Sequence, residues 1–208
     1  MKNNKEIRFF DCEVRAEQTE ERGNQLIGQP IVYGQRTDLG WYDEVIEPGA
    51  LDETDLKDVR LLVNHNTDMI PLARSRNNNV NSTMQLIPNE NGLGFRATLD
   101  TQNNTDAGNL YSAVGRGDIT GMSFMFTVKE DGWDDPDSDH PTRHIRSIDR
   151  VFEISAVTFP AYSQTSIQTR GLSGALESAK ESLESVKAAR AEIERRKQKI
   201  RILTEVSK

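Results

Sequence analysis

The sequence predicts a mainly β protein with some α content: a mostly antiparallel barrel or sandwich with one internal helix, followed by an extended C-terminal helix. Three observations carry this expectation. Roughly ten short apolar or β-branched segments are punctuated by turn-forming residues, with no regular alternation of strands and helices. One internal stretch alone carries helix-terminal signals. From Leu172 onward, the apolar residues adopt a 4-3 spacing without Pro or Gly between Ala175 and Lys208.

Taken in order, residues 7–16 read as a strand with partial alternation, and a polar stretch follows to Asn24. Residues 1–24 are thus expected to be a strand and polar segment that join the main body. Gln25–Tyr33 reads as the next strand, Asp38-Leu39-Gly40 as a turn, and Trp41–Ile46 as a strand ending at Glu47-Pro48-Gly49. Ala50–Asp55 is expected to form a short helix. Val59–His65 is a strand whose alternation puts Val59, Leu61, Val63 and His65 on one face. Leu72–Ser75 is a further short strand, and 76–82 an Asn-rich, mobile loop. Thr83–Ile87 and Leu93–Leu99, joined by Pro88–Gly92, form the clearest hairpin. Thr105 or Asp106 caps a helix running to Val114, with Gly115 as its terminator.

Gly115 and Gly117 then lead into the strand Ile119–Val128. Its alternation sets Ile119, Gly121, Ser123 and Met125 opposite Met122, Phe124, Phe126 and Val128. Residues 129–142 hold five aspartates and two prolines and do not match a calcium loop, so a solvated hairpin loop is expected. Residues 143–148 and Val151–Thr158 are strands, the second stopped by Pro160. A Ser/Thr/Gln/Gly-rich link over 163–173 marks the boundary between a body at 25–170 and a linker-plus-helix segment at 171–208. In that helix Leu172, Leu176, Ala179, Leu183, Val186, Ile193 and Ile200 form a seam interrupted by Arg190 and Lys197. Basic seam positions weaken a free-standing coiled coil and favour a helix that docks on a partner or folds conditionally.

Composition narrows the function classes. The 208 residues carry a formal net charge of −7, but residues 171–208 hold nine Lys/Arg against six Asp/Glu. The first 170 residues are therefore strongly acidic, which argues against specific nucleic-acid binding, because phosphate contacts need a basic surface. The mean hydropathy of −0.66 and a hydrophobic content of 35% are low, so part of the chain is expected to be exposed. One cysteine, Cys12, excludes an internal disulfide and suits a reducing cytoplasm. No apolar run approaches a membrane span, and the charged N-terminus is not followed by a signal-peptide core. The three histidines and single cysteine lack zinc spacing, and there is no glycine-rich phosphate loop, so neither metal nor cofactor is expected.

Three strands each supply one residue able to do chemistry. Ser123 is a lone hydroxyl in an apolar strand, near a glycine that leaves room for a ligand to approach. His65 ends an apolar strand face where a polar loop begins, as a core cap or as a general base beside solvent. Glu153 lies in the run Val151–Val157, where a carboxylate is costly to bury unless it is bonded to backbone, an arginine or a histidine. A serine hydroxyl becomes a nucleophile when an imidazole takes its proton and a third group fixes that imidazole. Gly121-Met122-Ser123-Phe124-Met125 is not a Gly-x-Ser-x-Gly elbow.

Four blocks then carry a resemblance: Glu44–Leu51, Leu61–Asn66, Gly117–Phe126 and Phe152–Tyr162. Together, in order, they resemble the prohead (procapsid) maturation proteases of tailed bacteriophages, of the type found in Hong Kong lambdoid phages. These are grouped with the herpesvirus assembly proteases. The resemblance implies a herpesvirus-protease-like antiparallel β-barrel with flanking helices and a serine endopeptidase. Its partners would be the major capsid protein precursor and its scaffolding segment, cleaved inside the procapsid in the host cytoplasm, with self-cleavage in the link and possible self-association. Carried over by position, His65 is the general base, Ser123 the nucleophile and Glu153 the third member. His144 is the alternative third member, because the herpesvirus relatives use a second histidine. Amides around 160–163 are the guess for the oxyanion hole. The competing expectation is a non-enzymatic capsid assembly module with a partner-binding helix.

Overall fold

The computed structural model describes residues 5–10, 14–159 and 168–206. Its strands are β1 Glu6–Phe10, β2 Val14–Thr19, β3 Gly23–Val32, β4 Thr37–Asp38, β5 Asp43–Ile46, β6 Asp58–Val63, β7 Ala73–Arg76, β8 Met84–Asn89, β9 Gly92–Thr98, β10 Gly121–Asp134 and β11 Thr142–Val157. The helices are α1 Thr105–Arg116 and α2 Gln168–Val206. A seven-stranded sheet runs β1-β10-β11-β5-β4, with β6 also on β11 and β7 on β6; a four-stranded sheet runs β2-β3-β9-β8. The mainly β body is therefore present, but its hydrogen-bonded paths do not close into a barrel among the described residues. Leu26, Ile31 and Phe95 from the smaller sheet meet Phe124, Phe126 and Ile154 from the larger one in a single core cluster. That burial of apolar surface holds the two sheets together.

β10 and β11 organise the larger sheet. They pair antiparallel from Gly121↔Val157 to Asp134↔Thr142, with register shifts between Met125 and Asp131. The expected acidic hairpin loop is therefore half strand, with the loop itself confined to 135–141, because Asp131 finds Arg143, whose guanidinium donates to it at 2.7 Å. The same pairing joins the two expected strands at 143–158 into one. β11 also runs parallel to β5 over Thr142–Ile145 and to β6 over Glu153–Ala156, so the sheet is mixed rather than antiparallel throughout. No helix forms at 50–55. Ala50, Asp52 and Thr54 donate their N–H groups to the carbonyls of Glu47, Gly49 and Leu51, three residues back, as successive turns. Thr54 Oγ1 also ties those turns to the Ile148 carbonyl at 2.8 Å.

The helix termini shift by one or two residues from expectation. Asn104 caps α1 by accepting from the N–H groups of Asp106 and Ala107, and Gly117, left-handed at φ 79°, closes it in place of Gly115. Cys12 and residues 160–167 lie outside the described residues, and with them part of the expected link and the guessed oxyanion amides; residues 168–173 already belong to α2. No helix is long and apolar enough among the described residues to cross a membrane. The seam from Leu176 to Val186 is used within the chain. Ala179 and Leu183 are buried with Tyr42 and Trp133, and Leu176 and Val186 pack on that cluster, whereas Ile193 and Ile200 are exposed.

Candidate active site

The site grows from the end of β6. After Val63 the chain turns sharply through Asn64 (φ 50°) and His65 (φ 55°), both in the left-handed region that most side chains avoid. This turn breaks the alternation that the sequence suggests through residue 65, so His65 lies beyond the strand and not on its apolar face. Side chains hold the turn in place. Asn64 Nδ2 donates to Thr158 Oγ1 at 3.0 Å, and its Oδ1 accepts from the Thr158 N–H at 3.0 Å. The Asn64 N–H donates to the Ala156 carbonyl at 3.0 Å, which fastens the turn to β11.

The turn delivers the imidazole to Glu153. His65 Nδ1 lies 2.6 Å from Glu153 Oε1, with the imidazole 12% exposed and the carboxylate 4%. The second carboxylate oxygen accepts from the Ser155 hydroxyl at 2.5 Å. Toward an ionised carboxylate, which only accepts, Nδ1 is the donor, and Nε2 of a neutral ring is then left with the lone pair. Ser155, itself buried, also accepts from the backbone N–H of His65 at 3.2 Å.

Ser123 stands on the neighbouring strand. It pairs with Ser155 while Met125 pairs with Glu153, which places the two serines and the glutamate on one face of the sheet. The Ser123 side chain is buried, and its hydroxyl donates to the Arg8 carbonyl of β1 at 2.6 Å. β1 lies antiparallel on β10 with Phe9 opposite Ser123. Strand β1 is anchored by charge: the buried Arg8 guanidinium bonds both Glu6 and Glu44, and Arg143 bonds the same two carboxylates.

His144 is at the other end of β11, opposite Gly132. Its Nδ1 meets Glu47 Oε1 at 2.5 Å, and its Nε2 lies 3.2 Å from Asp134. The structure therefore brings His65 and Glu153 together, sets Ser123 on the adjoining strand, and places His144 among a different set of carboxylates. A groove of about 430 Å³ opens beside the His65 turn, lined by Val63, Met69, Leu110 and Ile119 with Asn64 and Asp106.

Sequence reasoning missed two features here. Ser155 was legible as the residue two places after Glu153, hence on its face of a strand, but nothing local announced its bond to the His65 backbone. Asp38 and Asp43, five residues apart, converge with the distant His140, their ligand atoms within 4.8 Å of one another. The Arg36 guanidinium at 3.1 Å from Asp43 offsets part of that cluster's negative charge.

No curated protein matches the chain. The structure of the bacteriophage T4 capsid assembly protease, gp21, is similar over 73% of this chain and 98% of that one, at 12% identity and a TM-score of 0.38, a likeness too distant to carry an argument. The model of the caudovirus prohead serine proteases matches residues 10–182, and the chain belongs to that family.

Proposed function

We propose that this serine protease cleaves scaffold and capsid-precursor segments inside the immature shell, and its own link before the C-terminal helix, by acyl-enzyme chemistry. Ser123 is the nucleophile, His65 the general base and Glu153 the group that fixes the imidazole. The observation that carries the reading is the buried Glu153 carboxylate on His65 Nδ1, with Ser123 on the same sheet face one strand away. The reaction requires the Ser123 hydroxyl to leave the Arg8 carbonyl and turn to His65. Nε2 then takes the hydroxyl proton as Oγ attacks the peptide carbonyl, and Glu153 steadies the imidazolium. The imidazolium gives that proton to the departing amine, and water repeats the sequence to release the acyl group. The groove beside the turn, lined by Asn64 and Asn66 on either side of His65 in sequence, offers room for an extended peptide.

The experiment is incubation of the purified protein with the capsid precursor and its scaffolding segment. Ser123→Ala and His65→Ala should each lower turnover by roughly 10⁶-fold while leaving the fold intact, and Glu153→Ala should cost less, as orienting groups do. His144→Ala should change turnover only a few-fold. Retained precursor processing by Ser123→Ala would overturn the reading, and a large loss in His144→Ala without one in Glu153→Ala would move the third role to His144.

A further inference from the structure

We propose that Ser155 is a positioning residue for the proteolytic reaction, one hydroxyl that sets both the base and the carboxylate behind it. The inference rests on the reading of His65 and Glu153 given above. Ser155 has no exposed surface, and its oxygen makes two bonds of opposite sense. It donates its proton to Glu153 Oε2 at 2.5 Å and accepts the backbone N–H of His65 at 3.2 Å. The two bonds act on different coordinates of the same pair. The first stops the carboxylate from rotating, so that Oε1 stays aimed at Nδ1. The second pins the main chain of a left-handed residue, at φ 55°, from which the imidazole projects. Together with the 2.6 Å contact between His65 Nδ1 and Glu153 Oε1 they close a ring of three hydrogen bonds through Ser155, Glu153 and His65.

A purely structural serine would satisfy one neighbour and leave the imidazole indifferent to its loss. Here removal leaves a buried carboxylate oxygen without the hydroxyl bond, and it frees the main chain that carries the base. The imidazole would then sample orientations that do not face the nucleophile, so the loss belongs in turnover and not in substrate affinity.

The test compares Ser155→Ala, Ser155→Thr and Ser155→Val in the full-length protein, acting on the capsid precursor. Ser155→Ala is expected to lower kcat roughly 10- to 100-fold, part of the 10²–10⁴ that positioned acid–base catalysis supplies, with KM nearly unchanged. Thr keeps the oxygen and Val matches its shape without it, so Thr should retain most of the turnover and Val little. In protein labelled with ¹⁵N-histidine, the Nδ1–H signal of His65 should move in the Ala and Val variants and stay in place in Thr. Equal kcat for Thr and Val, or an unmoved Nδ1–H signal in Ala and Val, overturns the proposal. The underlying reading fails separately: if Ser123→Ala or His65→Ala still cleaves, the assignment of the site is wrong whatever Ser155 does.

Discussion

Asn64 and His65 occupy backbone conformations that each cost on the order of 1–3 kcal/mol for a residue with a side chain. The structure offsets that cost locally, through the reciprocal bonds between Asn64 and Thr158 and the bond from the His65 N–H to Ser155. Asn64→Ala removes the clasp and substitutes a residue less at ease in the left-handed region. We expect it to lower stability by about 1–2 kcal/mol in denaturant titration, and turnover roughly tenfold. Asn64→Gly should recover stability but not turnover, because glycine accepts the turn without holding it to β11. At this scale the sequence was half legible. A carboxylate at Glu153 inside an apolar run demanded a partner, and His65 is that partner. Alternation nevertheless placed His65 on the strand, because period-two reasoning has no means of registering two consecutive left-handed residues. The polar triplet Asn64-His65-Asn66 was the available warning, since these residue types enter that region most readily.

Among the elements, the hairpin of β8 and β9 was the most legible, since its alternation and turn are both local. Its tip carries a constraint that the sequence does not display. Gly92 has φ +135°, and a Cβ there would sit 2.0 Å from the carbonyl oxygen of Ile31 on β3. Backbone cannot yield as a side-chain end can, so Gly92→Ala should destabilise the protein by at least about 3 kcal/mol, read as a shift of the denaturant midpoint. Elements whose identity depends on distant partners were not legible. The acidic stretch after Val128 reads as loop until Arg143 and Ser182 are brought to Asp131, at 2.7 Å and 2.8 Å. Helix α2 has the same lesson. Its 4-3 seam announced a helix, but the seam from Leu176 to Val186 packs on Tyr42 and Trp133, whose indole Nε1 donates to Ser182 at 3.0 Å. Spacing gives the apolar face of a helix and leaves its neighbour unspecified.

For the molecule as a whole, the buried cluster of Glu6, Arg8, Glu44 and Arg143 joins β1, β5 and β11. Such clusters specify an arrangement more than they add net stability, but removing one member leaves charges uncompensated. Burial pushes the Glu6 carboxyl up, yet the charges of Arg8 and Arg143 with bonds from Arg143 and Ser178 outweigh it and hold the group below its ordinary 4.5. Because the folded value is the lower one, the unfolded chain takes up this proton first. The stabilisation from Glu6 is therefore complete above about 4.5 and drains away as pH falls through the folded value. Thermal unfolding followed from pH 7 downward should show Tm falling below that point. Glu6→Gln should flatten this part of the fall and cost about 3–5 kcal/mol at neutral pH.

The bond from Ser178 Oγ to Glu6 Oε1, at 2.9 Å, lies between residues from opposite ends of the chain. The first strand and the early part of α2 are thereby fastened at one knot, and that strand supplies, through the Arg8 carbonyl, the acceptor for the Ser123 hydroxyl. The early part of α2 and the acceptor of the Ser123 hydroxyl thus share one strand, β1, which neither the nucleophile nor the helix could reveal on its own.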